Sequence, residues 1–153
     1  MTIAILETGV PPGDLPKAFG DYPAMFRDLL GEAFDYRTFR VFQGEFPPDP
    51  AAFEALLITG SPAGVYDDLP WIAELEEFIR ASVGKTKQVG ICFGHQVLAS
   101  ALGGEVVKSP KGWGLGLHTY EITGEAPWMD GAAAISVPVS RSILGSSRPT
   151  SRP

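Results

Sequence analysis

The sequence contains a single cysteine, Cys92, and only two histidines among its 153 residues. One cysteine excludes a disulfide within the chain, and a lone thiol is typical of proteins in the reducing cytoplasm. One cysteine and two separated histidines show none of the spacings of metal ligands, so we expect no bound metal and no cofactor. These absences predict a cytoplasmic protein whose chemistry would depend on few reactive side chains.

Long apolar stretches and an excess of positive charge are also missing. No run of residues approaches the length of about 20 apolar residues that a membrane-spanning helix needs. The 18 acidic residues outnumber the 12 basic ones, which gives a net charge of −6. A surface that binds phosphates has the opposite sign of charge. We therefore expect neither a membrane nor a nucleic acid as a partner.

The composition over most of the chain is that of a folded protein, because 44% of the residues are apolar and 10% are aromatic. The last residues, 140–153, differ: they contain five serines, three arginines and no acidic side chain. We predict one domain over residues 1–139. The tail over 140–153 is expected to be either a disordered C-terminus or a non-native extension, and both interpretations stay open.

Short apolar runs alternate with amphipathic segments along the chain. The runs Ile3–Leu6, Ala55–Ile58 and Val89–Cys92 predict buried strands, and residues 22–30, 71–79 and 94–102 predict helices. Further strands are predicted near residues 36–42, 105–108, 115–122 and 133–137, and Asp67 or Asp68 is expected to cap the second long helix. Strands with little alternation are typical of a parallel sheet covered on both faces. The pattern predicts a doubly wound α/β domain with its active groups at the carboxyl ends of the strands.

The segment 89–96, with the sequence VGICFGHQ, is the most informative part of the chain. A strand runs into Cys92, which has Gly90 and Gly94 two residues away on either side, and a helix follows at once. This is the glycine-flanked turn of a nucleophile elbow, with cysteine as the nucleophile. The N-terminal end of the helix favours the thiolate, and the amide of Phe93 could donate to a developing oxyanion. The alternative interpretation is a buried, inert cysteine at the end of a strand.

Several segments resemble class I glutamine amidotransferases. Residues 90–99, GICFGHQVLA, are similar to the family signature G-[IV]-C-x-G-x-Q, and residues 101–104 fit as well. Residues 58–62, ITGSP, lie where the family has its glycine-rich oxyanion loop. Residues 63–72 resemble a subgroup of stand-alone amidotransferase-like proteins, and residues 114–120 resemble the β-rich stretch after the nucleophile helix. The resemblance covers roughly residues 1–139 and implies a flavodoxin-like, mostly parallel sheet that is incomplete at its C-terminus.

The resemblance also implies roles for particular residues. Cys92 would attack the side-chain amide of glutamine and form a γ-glutamyl thioester, which releases ammonia. The backbone amides of Gly60 and Phe93 would form the oxyanion hole, and Gln96 would help to hold the glutamine substrate. In the family, the ammonia passes to an acceptor on a synthetase domain or partner, while some members hydrolyse γ-glutamyl bonds.

The chain departs from the family pattern in its histidines. The family's base is a histidine in an H-x-E or similar motif near the end of the domain, and neither His95 nor His118 matches that motif. We therefore expect little or no glutaminase activity from the chain as written. Three functions remain open: an amidotransferase-like enzyme truncated before its histidine, a γ-glutamyl hydrolase or related thiol hydrolase, and a non-catalytic binding domain on the same fold.

Overall fold

The computed structural model describes residues 1–108, 116–124, 126–127 and 129–139. The strands are β1 (Thr2–Glu7), β2 (Asp35–Arg40), β3 (Ala55–Ile58), β4 (Lys87–Gly90), β5 (Gly116–Glu121) and β6 (Ala134–Val139). The helices are α1 (Leu15–Phe19), α2 (Tyr22–Leu30), α3 (Pro70–Ser82) and α4 (Phe93–Ala101), with a short 3-10 helix at Val41–Gln43. The chain divides into two compact units: Met1–Val106 forms the first, and β5 and β6 lie in the second.

The first unit is built on a four-stranded parallel sheet with the strand order β2-β1-β3-β4. In its register Ile3 pairs with Ala55, and Ile58 pairs with Gly90. All four strands run in the same direction, so their carboxyl ends meet at one edge. The segments that follow β1, β3 and β4 therefore meet there, where the sequence predicts the active groups.

One face of this sheet is covered by α3 and α4. Ile72, Leu75 and Ile79 recur at helical spacing on α3 and are almost fully buried. They pack in one cluster with Leu6 and Ile58 of the sheet. Burying a side chain of this size contributes about 1.5–3 kcal/mol, so this cluster stabilises the packing of α3 on the sheet.

The opposite face carries Ile3, Ile5 and Leu57, against which Phe26 of α2 packs. Helix α2 begins at Asp21, whose carboxylate accepts a hydrogen bond from the amide of Ala24 at 2.8 Å. Helices thus lie on both faces of the parallel sheet, which is the doubly wound α/β arrangement that the sequence predicts.

Three local predictions need correction. Asp67 and Asp68 do not cap α3, because its N-cap is Leu69; Asp67 instead accepts a hydrogen bond from the amide of Gly64 at 2.8 Å. Residues 105–108 do not form a strand. The strand predicted up to Cys92 ends at Gly90, since the chain turns sharply before the cysteine.

The second unit contains the antiparallel pair β5 and β6, which join through His118 opposite Val137 and Tyr120 opposite Ile135. The predicted tail, 140–153, lies outside the described residues, so its boundary at residue 139 stays a prediction. Within the described residues, no helix is long and apolar enough to cross a membrane.

Candidate functional site

The chain reverses direction at Cys92 between β4 and α4. Cys92 has φ 56° and ψ −106°, and it is the only non-glycine residue with a positive φ in the part of the chain that the structure describes. An unusual backbone conformation at a non-glycine residue costs on the order of 1–3 kcal/mol and occurs mostly at functional sites. The strand ends two residues before the cysteine and the helix starts one residue after it. The structure therefore has the sharp strand–cysteine–helix turn that the sequence predicts.

Two glycines make this turn sterically possible. A methyl group on Gly90 would lie 2.3 Å from the carbonyl carbon and oxygen of Gly94, and one on Gly94 would lie 2.3 Å from the carbonyl oxygen of Ile58. The space is closed by backbone, which cannot move aside as a flexible side chain could. The amide of Gly94 also donates to the carbonyls of Ile91, at 3.0 Å, and Thr59, at 3.2 Å. These contacts attach the first turn of α4 directly to the ends of β3 and β4.

Phe93 anchors the turn from below. Its side chain is 1% exposed, and its ring lies 5.5 Å, centroid to centroid, from the indole of Trp71 on α3. Cys92 itself is exposed, which excludes the alternative of a buried, inert cysteine. The thiol can therefore meet a substrate from solvent.

The loop after β3 is held by a network that joins it to the end of β1. The hydroxyl of Thr8 lies 2.9 Å from the carbonyl oxygen of Gly60 and 3.1 Å from that of Thr59. The amide of Thr8 donates to the hydroxyl of Thr59 at 3.0 Å, and the hydroxyl of Ser61 donates to the carbonyl of Thr8 at 2.7 Å. Both threonines are buried. The network fixes the backbone of the Gly60 loop without a glycine-specific φ at Gly60.

Gly60 lies next to Cys92. A methyl group on Gly60 would lie 3.8 Å from Cβ of Cys92, which is ordinary van der Waals contact. The amide of Phe93 opens α4, where the first N–H groups of a helix have no acceptor within the helix. Two segments with main-chain donors thus flank the cysteine, as an oxyanion hole requires. The roles of Gly60 and Phe93 as oxyanion donors stay predictions.

Gln96 lies one turn into α4 and is 8% exposed. The main-chain amide of Gln96 donates a hydrogen bond to the carbonyl of Cys92 at 3.2 Å, so the backbone of Gln96 is part of the turn. Its side-chain role in holding a substrate stays a prediction.

Neither of the two histidines belongs to the H-x-E motif of the family. His95 is exposed in the first turn of α4. His118 lies on β5 in the second unit, with its ring stacked on Tyr120 at 6.4 Å. Among the described residues, no group of three or more His, Cys, Asp or Glu side chains could hold a metal ion.

A buried acid at the same sheet edge was not predicted. Glu7, the last residue of β1, has a side chain 3% exposed, and its Oε2 forms an ion pair with Nε of the half-exposed Arg40 at 3.4 Å. Burial raises the pKa of Glu7 above its ordinary value, and the charge of Asp21 raises it further, while the guanidinium of Arg40 opposes both. The sequence could have indicated this buried acid, because an acidic residue at the end of an apolar strand is unusual.

The family model for glutamine amidotransferase class-I matches residues 38–126, which is more than half of the chain and includes both Gly60 and the cysteine turn. This chain belongs to the class-I glutamine amidotransferase family. The family assignment that the signature at residues 90–99 predicts is thereby confirmed.

Individual relatives and a solved structure agree with the family. A glutamine amidotransferase-like protein of Schizosaccharomyces pombe is 32% identical over 151 residues, covering 88% of this chain and 61% of its own length. γ-Glutamyl peptidase 4 of Arabidopsis thaliana is 37% identical over 132 residues, covering 84% of this chain and 53% of its own. A crystal structure of a glutamine amidotransferase from Methylobacillus flagellatus has a TM-score of 0.65 and 26% identity, covering 88% of this chain and 52% of that one. This amidotransferase-family chain therefore spans about half to three-fifths of the length of these relatives.

Proposed function

We propose that this chain carries the cysteine part of a site that cleaves γ-glutamyl amide bonds through a thioester. The observation that carries the proposal is the exposed thiol of Cys92 at a glycine-supported turn, beside Gly60 and the first amide of α4. This arrangement combines a nucleophile with two candidate oxyanion donors, which is what acyl transfer to a thiol requires.

The proposed reaction begins when the thiolate of Cys92 attacks the side-chain carbonyl carbon of the γ-glutamyl group. A C–S bond forms, and the carbonyl electrons move onto oxygen, where the amides of Gly60 and Phe93 donate hydrogen bonds. The C–N bond then breaks, and the nitrogen leaves with a proton as ammonia or as an amine. Water hydrolyses the thioester and frees the thiol. Gln96 is proposed to help to hold the substrate.

Covalent capture tests the proposal without requiring turnover. Diazo-oxo-norleucine is a diazoketone shaped like glutamine: the sulfur forms a bond to its diazo-bearing carbon, which takes up a proton and loses N2. We expect Cys92 to be labelled at a rate that saturates with reagent concentration, as read by intact mass and peptide mapping. The Cys92→Ser variant is the matched control and should remain unlabelled. A labelling rate that rises linearly with reagent concentration, without saturation, would contradict the proposal.

A second candidate, hydrolysis of γ-glutamyl peptides, is favoured by the 37% identity to γ-glutamyl peptidase 4. The two substrates differ only in the leaving group, which is ammonia for glutamine and an amine for a γ-glutamyl peptide. Competition against diazo-oxo-norleucine separates them: protection by γ-glutamyl dipeptides at lower concentrations than by glutamine favours the peptidase. The reverse order favours an amidotransferase, which would pass its ammonia to an acceptor on a synthetase partner.

The non-catalytic alternative predicts binding without covalent chemistry. A chain of this kind would bind glutamine, measurable by calorimetry, but would not form a covalent adduct with the diazoketone. Formation of the adduct at Cys92 therefore distinguishes a nucleophile from a residue that only lines a binding site.

A further inference from the structure

Cys92 and Tyr22 both lie close to the surface of Gly60. A methyl group on Gly60 would lie 3.8 Å from Cβ of Cys92 and 3.9 Å from Cζ of Tyr22. A single carbon atom at that point would thus be in van der Waals contact with both residues, and with neither too closely. We name the space between Cys92 and Tyr22 over Gly60 the Gly60 slot.

Tyr22 reaches the slot because of where α2 begins. It is the first residue of α2, directly after the N-cap Asp21, and its side chain is half-buried. Helix α2 packs on the sheet through Phe26, one turn further along. This packing attaches α2 to the sheet, and the ring of Tyr22 lies close to Gly60.

The geometry of acyl transfer brings a substrate close to the slot. The reacting carbonyl carbon must approach the sulfur of Cys92 while its oxygen faces the amides proposed as donors, one of which is that of Gly60. A substrate chain that continues from that carbon over Gly60 would lie between Cys92 and Tyr22. A γ-glutamyl group has two methylenes next to its carbonyl, and a flat aromatic ring is a suitable apolar wall for them.

We propose that Tyr22 is a substrate-binding residue, the second wall of a slot that receives the methylenes of the γ-glutamyl group. The inference rests on the proposed function, since it names where the substrate of that site lies. It goes beyond the cysteine and the oxyanion donors by assigning a recognition role to α2.

Two opposite changes to the slot test the inference. Gly60→Ala places a methyl group in the space while leaving the main-chain amide in place, and Gly60 does not have a positive φ that would strain alanine. Tyr22→Ala removes the wall. Tyr22→Phe is the matched control, because it keeps the ring and loses only the hydroxyl. Each variant is reacted with diazo-oxo-norleucine and, separately, with iodoacetamide, which has no γ-glutamyl group.

For Gly60→Ala and Tyr22→Ala we expect the efficiency of labelling by the diazoketone to fall about tenfold or more. In Tyr22→Ala the lower efficiency should come from a higher diazoketone concentration at half-saturation, with the maximal labelling rate little changed. Tyr22→Phe should stay within about twofold of the wild type, and iodoacetamide should react with Cys92 of Tyr22→Ala at the wild-type rate.

The outcomes separate this inference from the proposed function. Saturable labelling of the wild type with no effect of either alanine variant overturns the slot and leaves the function standing. Equal losses with both reagents in Tyr22→Ala also overturn it, since they indicate a structural role only. If labelling of the wild type does not saturate, the proposed function fails, and the slot fails with it.

Discussion

At the residue scale, the geometry at Cys92 depends on the two neighbouring glycines, Gly90 and Gly94, which have no Cβ. Gly90 and Gly94 face backbone atoms at distances that no side chain tolerates. The cysteine itself takes the strained φ of 56°, because the glycines on either side leave room for strand and helix to approach. Strain at one residue is thus maintained by close packing at two others.

Alanine at Gly90 or Gly94 is expected to destabilise the fold by about 1–3 kcal/mol or more, because the added methyl group would meet backbone at 2.3 Å. Urea unfolding followed by circular dichroism measures the loss. Gly60→Ala is the matched control, since its methyl group would meet its nearest neighbour at 3.8 Å. Similar stability of all three variants would show that the turn is looser than described.

Glu7 gives the protein a predicted dependence of stability on pH. Its pKa is raised in the folded state by burial, so the folded protein binds a proton where the unfolded chain has already released it. The contribution of Glu7 to the free energy of unfolding should therefore fall as the pH rises from the ordinary pKa of 4.5 to the raised value, and should stay lost above it.

Glu7→Gln removes the buried charge and tests this expectation. The variant should be more stable than the wild type by about 1 kcal/mol at pH 8, with the difference shrinking towards pH 5. Thermal unfolding at both pH values measures it, with the exposed Glu32→Gln as control. A variant that is less stable than the wild type at pH 8 would show that attraction to Arg40 outweighs the cost of burial.

At the element scale, the local sequence predicted the long helices and most of the strands. The bounds of α2 and β3 match the predicted segments, since apolar periodicity and flanking glycines are local signals. The sequence also located the turn at Cys92, because two glycines at fixed spacing are needed to build it.

What the sequence did not predict are contacts between distant segments. Thr8 binds Thr59 and Gly60 across about fifty residues of sequence, and Tyr22 meets the surface of Gly60 from another helix. The prediction that Asp67 caps α3 was wrong, because its carboxylate accepts a hydrogen bond from the amide of Gly64 in its own loop. Such pairings follow from the order of strands in the sheet, which the local pattern leaves open.

The strand β4 forms one border of the described sheet, and apolar side chains are exposed on it and directly after it. Val89 of β4 is 48% exposed, and Ile91, which follows the strand, is 42% exposed. An uncovered strand with apolar side chains favours pairing between chains. We expect the protein to associate as its concentration rises, which light scattering after size-exclusion chromatography would show.

Val89→Lys should reduce this association, because a charged side chain on a border strand opposes pairing. Val83→Lys is the control, since Val83 is 52% exposed at the end of α3 and lies outside the sheet. A wild type that is monomeric at all concentrations and unfolds cooperatively would contradict the expectation.

At the scale of the whole molecule, the proposed nucleophile is not accompanied by the H-x-E motif that the resemblance implies for the base. Neither His95 nor His118 of this sequence belongs to such a motif. The loss of one member of a catalytic triad costs several orders of magnitude in rate, so efficient turnover is not expected of these 153 residues alone.

We expect the purified chain to release little or no ammonia from glutamine, as measured by a coupled ammonia assay. Cys92→Ala sets the background of that assay. Turnover of about 1 per second or faster that Cys92→Ala abolishes would contradict this expectation, because it would require a base that the family motif does not supply.

The proposed function requires Cys92 to be the point at which a γ-glutamyl substrate meets the protein. Protection of its thiol tests this directly: the rate of alkylation by iodoacetamide is measured with increasing L-glutamine, and with D-glutamine as control. L-Glutamine is expected to slow alkylation to a saturating limit, and D-glutamine is not. An alkylation rate that is the same with either amino acid as without it would rule out this role of Cys92.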